Sequence, residues 1–204
     1  MDRSLSQTLG LAAPDRRGVA AALGLALVLT QAAPAAEVER LAPYVGTRYV
    51  NPVLGFSLDL PGRLAACQLP VERWREGIVI VLGAGASCDS IRRVVGFITV
   101  SGEPNTEALG DVTSLAASLC SHPSSGAARV EPARRRIAGL ETLSCLMQEE
   151  SGSVVLEAFA QRANAGPPAT WTNLRVSLIA RGDRWLEFTG VFEDLIARVG
   201  ISAR

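Results

Sequence analysis

The sequence predicts an α+β fold: an antiparallel sheet with one internal and one C-terminal helix packed on it. Three observations predict it. Most of the chain after residue 47 falls into short runs in which apolar side chains dominate or alternate with polar ones, the pattern of strands. The later runs are joined by short connections, which favours antiparallel neighbours. Only two stretches carry a helical stripe, one between strand runs and one at the end, and that segregation spells α+β rather than α/β.

Taken in order, Arg48-Tyr49-Val50 and Phe56 to Leu60 flank Asn51-Pro52-Val53-Leu54-Gly55, a hairpin signal. Phe56, Leu58 and Leu60 point one way and Ser57 and Asp59 the other, and Pro61-Gly62 ends the strand. Further strands are expected at 78–82, 94–100, 129–137, 140–148, 154–161, 172–180 and 185–189. Between them, residues 105–120 carry a helical stripe at Ala108, Leu109, Val112, Leu115, Ala116 and Leu119, with Cys120 at its end. A closing helix places Phe192, Leu195, Ile196 and Val199 on one face, with Gly200 as its C-terminal cap.

Upstream, Arg16 and Arg17 precede an apolar run from Val19 to Leu29 broken only by Gly24, and Ala33-Pro34-Ala35 supplies a small-x-small cleavage pattern. Residues 1–35 read as an export signal peptide and 36–204 as a single α+β domain, periplasmic or secreted. The run falls short of the roughly 20 apolar residues of a membrane span. An uncut anchor is the alternative and would be the chain's one membrane contact. Asp15-Arg16-Arg17-Gly18-Val19-Ala20 resembles a twin-arginine signal, but Asp15 stands where Ser or Thr is usual, so general export is the default.

The four cysteines, Cys67, Cys88, Cys120 and Cys145, all follow the signal, and an even count behind an export signal reads as two disulfides. Three connectivities are open. A local argument favours one of them: Cys120 ends the helical stripe, Cys145 alternates inward with Leu143 and Met147, and the two would meet where the helix covers the sheet. That leaves Cys67 with Cys88, a closure of 21 positions worth about 3 kcal/mol in the chain-entropy model. Metal binding is the rival reading, and the absence of any CxxC pair together with a single histidine argues against it.

Composition excludes further chemistry. The chain has 20 arginines, no lysine, 20 acids and one histidine, His122. A P-loop or a Schiff-base enzyme would need a lysine, and a histidine-ligated zinc site more than one imidazole. Three of the arginines and two of the acids lie in the signal, leaving 17 against 18. No basic excess exists to neutralise nucleic-acid phosphates. The one cluster, Arg134-Arg135-Arg136, would be split between two faces of a strand and reads as solvated.

Several motifs tempt. Val79 to Leu82 entering Gly83-Ala84-Gly85-Ala86-Ser87-Cys88, with Glu103 at 20 positions from Gly83, looks like a dinucleotide-binding strand and turn. Cys88 holds the third glycine position, and Asp89 to Arg93 is too short for the crossover helix. A glycine-bearing turn beside a disulfide accounts for the same letters, so no cofactor is expected. His122, in Cys120-Ser121-His122-Pro123-Ser124-Ser125-Gly126, lacks a nucleophile elbow and reads as a loop histidine rather than a catalytic one. Glu149-Glu150 before Ser151-Gly152-Ser153 reads as a polar hairpin turn, and adjacent strand carboxylates face apart. Spacing gives no argument for Glu157 or Asp59 as a second acid. Trp74 between Arg73 and Arg75 has the composition of a protein-interface anchor, against the alternative that all three tryptophans fill the core or sheet edge.

Tyr49-Val50-Asn51-Pro52-Val53-Leu54-Gly55-Phe56-Ser57-Leu58-Asp59-Leu60-Pro61 resembles the first hairpin of exported bacterial domains of the Mog1/PsbP-like type, and the final strand-then-helix running into Ile201-Ser202 is similar to their last element. The resemblance implies an antiparallel sheet with packed helices, used for binding or assembly rather than catalysis, with no shared catalytic residues to carry over. The functional expectation is an exported, non-enzymatic binding or assembly-accessory domain with a protein partner in the cell envelope. The alternatives are a periplasmic immunity or inhibitor protein, and an exported hydrolase using His122.

Overall fold

The structure, a computed structural model, describes residues 41–69, 76–90, 94–120, 129–149 and 151–201. The expected export segment, the Arg73-Trp74-Arg75 anchor and His122 lie outside the described residues. In chain order the elements are β1 (Arg48–Asn51), β2 (Phe56–Asp59), β3 (Ala65–Gln68), β4 (Glu76–Leu82), β5 (Gly96–Pro104), α1 (Val112–Cys120), β6 (Arg129–Pro132), β7 (Thr142–Gln148), β8 (Ser153–Arg162), β9 (Thr172–Arg181), α2 (Trp185–Arg198) and β10 (Val199–Ile201). This is an α+β fold.

The strands form a three-stranded sheet, β1-β2-β10, and a seven-stranded one, β3-β4-β5-β9-β8-β7-β6. Every pairing is antiparallel. The order is sequential except at β5, whose far neighbour is β9 with Val100 opposite Val176. The chain leaves β5 in mid-sheet, passes through α1, and works back from β6 at the far edge. The β3 edge is covered by residues 42–44, where Tyr44 N–H donates to Ala66 O at 2.8 Å and Gln68 N–H to Ala42 O at 2.9 Å. Such cover removes an open edge that would template pairing with another chain.

Four differences from the expected elements have local causes. The strand expected over 129–137 stops at Pro132, and residues 134–135 bend toward a tight turn in which Leu140 N–H donates to Ile137 O at 2.8 Å. Its central residues, Ala138 (φ 52°) and Gly139 (φ 80°), are both left-handed, the geometry that matches strand twist in a two-residue hairpin. The strand expected at 185–189 is instead the start of α2. Gly182 at φ 54° turns the chain out of β9, and Trp185, Phe188, Phe192, Leu195 and Ile196 continue one helical stripe. Gly200 is not a helix cap but the middle of β10, because Val199 turns extended and pairs with Leu58. Finally, α1 starts at Val112 rather than near 105: Asp111 caps it, accepting from Ser114 N–H at 2.7 Å. Strands β3 and β10 carry no clear pattern of their own, one being small residues without alternation and the other three residues long.

The two faces of the large sheet differ. On one, Ile78, Ile80, Ile98, Val100, Leu174, Val176, Leu178 and Ala158 meet Phe192, Leu195 and Ile196 of α2, with Phe56 and Leu58 of the small sheet. Full burial of each large side chain is worth about 1.5–3 kcal/mol. Gly102 sets the approach of the two sheets here: a Cβ on it would lie 3.0 Å from the Phe56 ring and 3.1 Å from Leu54. The other face is apolar only toward its sides. Val112, Leu115 and Ala116 of α1 pack on Met147, Val155 and Phe159, and Val79 and Val81 pack beside Cys67 and Cys88.

Candidate functional site

Both disulfides stand on this second face, in the connectivity that the local argument favours. Cys67–Cys88 ties β3 to the turn after β4, with Cα atoms 5.6 Å apart, and Cys120–Cys145 ties the end of α1 to β7 at 6.3 Å. Strands β5, β9 and β8 lie between these anchors. Alternation in the strands puts Thr99, Ser101 and Glu103 of β5, Asn173, Arg175 and Ser177 of β9, and Glu157 and Gln161 of β8 on the same face. Register aligns them in rows: Thr99 with Ser177 and Glu157, Ser101 with Arg175, and Glu103 with Asn173 and Gln161.

Most of this polar tract is buried, and Thr99, Arg175 and Gln161 are half-buried. Ser101, Glu103, Asn173, Ser177 and Glu157 are between 2% and 7% exposed. Groups buried this deeply must be hydrogen-bonded or costly. Glu157 Oε1 accepts from Arg175 Nε at 2.9 Å, from Arg175 Nη2, and from Ser177 Oγ at 2.9 Å. The Arg175 guanidinium lies 5.7 Å from the Phe159 ring centroid, within cation–π range. At the other end is an amide ladder. Asn105 Nδ2 donates to Leu109 O and Pro168 O, both at 2.8 Å, while Gln161 Nε2 donates to Leu109 O at 3.0 Å and to Asn173 Oδ1 at 3.1 Å. These bonds shape loop 104–111, in which Ala108 sits at φ 53°.

Where the tract meets that loop, a cleft of about 400 Å³ opens beside α1. Leu109, Leu115, Leu119 and Pro104 give it apolar walls, and Glu103 and Asn173 belong to both cleft and tract. Glu107, also on the cleft, accepts from Ser118 Oγ at 3.0 Å. An apolar recess with a few fixed polar groups at its base is the usual form of a binding site.

The stretch from Val79 to Cys88 is a glycine-bearing turn beside a disulfide and not a dinucleotide site. Strand β4 is antiparallel to both neighbours, Gly83 (φ 111°) and Gly85 (φ 69°) turn the chain, and Cys88 is in a disulfide. Glu103 stands in the polar tract instead. Glu149 closes a turn, accepting from Gly152 N–H at 3.0 Å. Among the described residues no three of His, Cys, Asp and Glu gather as a metal site, and no helix is long and apolar enough to cross a membrane. The tract is not among the sites expected from the sequence. Its signal is present there, since Thr99, Ser101 and Glu103 alternate with Ile98 and Val100 as Asn173, Arg175 and Ser177 do with Leu174, Val176 and Leu178, but such alternation ordinarily marks a solvated face.

No family model matches the chain, and no curated protein matches it. Among solved structures, the solution structure of cyanobacterial PsbP (CyanoP) from Synechocystis is similar over 81% of this chain and 95% of that one, at 14% identity and a TM-score of 0.48. That weak likeness is to the PsbP-like type that the Tyr49 to Pro61 hairpin resembles.

Proposed function

We propose that the protein is an exported binding domain of the periplasm or another oxidising compartment, which receives a segment of a protein partner in the cleft at the end of the polar tract. One observation carries the reading. Two covalent anchors hold apolar cover on either side of a buried polar tract, and the tract reaches the surface at a leucine-walled cleft. A face kept only for stability would be apolar across its middle, as the α2 face is. The disulfides favour an oxidising compartment, and the Arg16-Arg17 and Val19 to Leu29 pattern supplies the route there.

The test is made in the producing cell. A photo-crosslinking residue replaces Leu119 on the cleft or, as a control, Gly190 on the exposed side of α2. The expected result is a discrete envelope-protein adduct from position 119 alone, lost on adding Glu103→Gln. Equal adducts from both positions, or none from 119, would overturn the reading. So would hydrolysis of an ester, peptide or glycoside panel that disappears with His122→Ala.

A further inference from the structure

The molecule has a second recess, on the face of the large sheet opposite the polar tract and independent of the function proposed above. It measures about 200 Å³ and lies where α2 overhangs β7, β8 and residues 131–134. Leu146, Leu156, Trp185 and Leu186 form its apolar walls, and Glu131, Glu193 and Arg134 are its charged members, with Ser144 beside them.

Glu193 is the unusual group. Its Oε2 is cut off from solvent and has no hydrogen-bond partner. A buried acceptor left unmade costs free energy that a donor brought by a ligand would recover. Burial pushes the Glu193 carboxyl above its ordinary value, while Arg134 and Arg135 act the other way, so both guanidinium groups are near enough to be felt. Arg134 itself is exposed.

Charge then selects the ligand. Glu131 is paired with Arg129 at 3.2 Å, so the charges left to a ligand are Glu193 and Arg134: a bare cation offered to Glu193 would meet Arg134, and a bare anion offered to Arg134 would meet Glu193. A ligand bearing both signs close together meets each group with its opposite. Size narrows it further: this recess is smaller than the roughly 300–1,000 Å³ of pockets for drug-sized molecules, so one residue-sized body fills it. We propose that this groove binds a small zwitterion with a short apolar body, the chemistry of a free aliphatic amino acid. The Glu193 carboxylate turns Oε2 from its buried position toward the recess to accept from the ammonium, the ligand's carboxylate accepts from Arg134, and its body lies against Trp185 and Leu146.

Calorimetry and NMR on the purified protein test this with three probes sharing one apolar body: leucine, isopentylamine and isocaproate. Leucine is expected to bind saturably and shift the Trp185 indole resonance, with each singly charged analogue weaker by about tenfold or more, the worth of one charge-assisted hydrogen bond. Glu193→Gln and Arg134→Gln are each expected to weaken leucine to a similar degree while the unfolding transition stays cooperative. Arg134 is exposed, so its variant keeps the test sound even where a helix substitution disturbs folding. No saturable shift with leucine, an analogue that binds as tightly, or full affinity in both variants would overturn the proposal.

Discussion

Arg175 and Glu157 are diagonal partners across β9 and β8, and both Nε and Nη2 of the arginine donate to one carboxylate oxygen, Oε1, while Oε2 is buried with no partner. The pair sits at 16% and 2% side-chain exposure, in the middle of a sheet face whose flanks are apolar. Removing one member of such a pair strands the other charge. Arg175→Ala is therefore expected to cost about 3–5 kcal/mol of unfolding free energy, read from urea titration. The double variant Arg175→Ala with Glu157→Leu should recover much of that loss, since neither member of the pair is then left as a stranded charge. A double variant no more stable than Arg175→Ala alone would count against this account.

The disulfides are expected to act as separate staples. Thiol titration of the denatured, unreduced protein should find no free cysteine, as all four are paired. Replacing Cys67 with Cys88, or Cys120 with Cys145, by alanine pairs opens loops of 21 and 25 positions, each worth roughly 3 kcal/mol in the chain-entropy model. The second pair should also loosen α1, because Cys120 is the last residue of that helix. Hydrogen exchange should then rise in α1 and at Met147 and Val155 beneath it, and stay unchanged across β4.

Much of this architecture is legible in residue order, and the exceptions are instructive. The hairpin of β1 and β2, strands β4, β5, β7, β8 and β9, the C-terminal half of the internal helix and both disulfides follow from alternation, stripe and the cysteine argument. Trp185 to Thr189 misleads because its first residues satisfy a strand pattern locally, while Phe192 and Leu195, further along, complete a helical one. The site is hidden for a different reason. Polar alternation in β5 and β9 says that one face is polar, but only register and the two disulfide-fixed flanks reveal that this face is covered. The Glu193 recess joins α2 to residues 131–134, a long-range proximity with no local signature.

Glu193 also gives stability a pH dependence of definite sign. Its carboxyl is pushed above the ordinary value of 4.5, chiefly by burial, with Arg134 and Arg135 opposing and Glu131 on the same recess. A folded-state pKa above the unfolded one means the folded state holds more protons between the two, so stability falls as pH rises from 4.5 through the folded pKa. This contribution is fully favourable below 4.5 and gone once the folded carboxyl has ionised. Glu193→Gln keeps the shape and removes the titration. Its unfolding free energy, compared with the parent at each pH, should show a growing advantage on going from mildly acidic to neutral buffer. A constant difference across that range would contradict the assignment.

Asn105 links the fold to the proposed site. Its side chain is fully buried and joins three segments: Nδ2 donates to Leu109 O and Pro168 O, and Oδ1 accepts from Leu109 N–H at 3.2 Å and from Asn173 Nδ2 at 3.4 Å. Leucine has nearly the same shape and none of these bonds. Asn105→Leu would leave Pro168 O and Leu109 N–H without this partner, at about 1–3 kcal/mol for each buried group stranded. Because Leu109 and Asn173 line the cleft, the damage should extend beyond stability. At a temperature where the variant is still folded, amide resonances of loop 104–111 and of Asn173 should broaden or shift, while those of α2 hold still. The crosslink expected from position 119 should weaken in parallel. Retention of that crosslink alongside a disturbed loop would separate the cleft from the binding role and leave Asn105 as a purely structural residue.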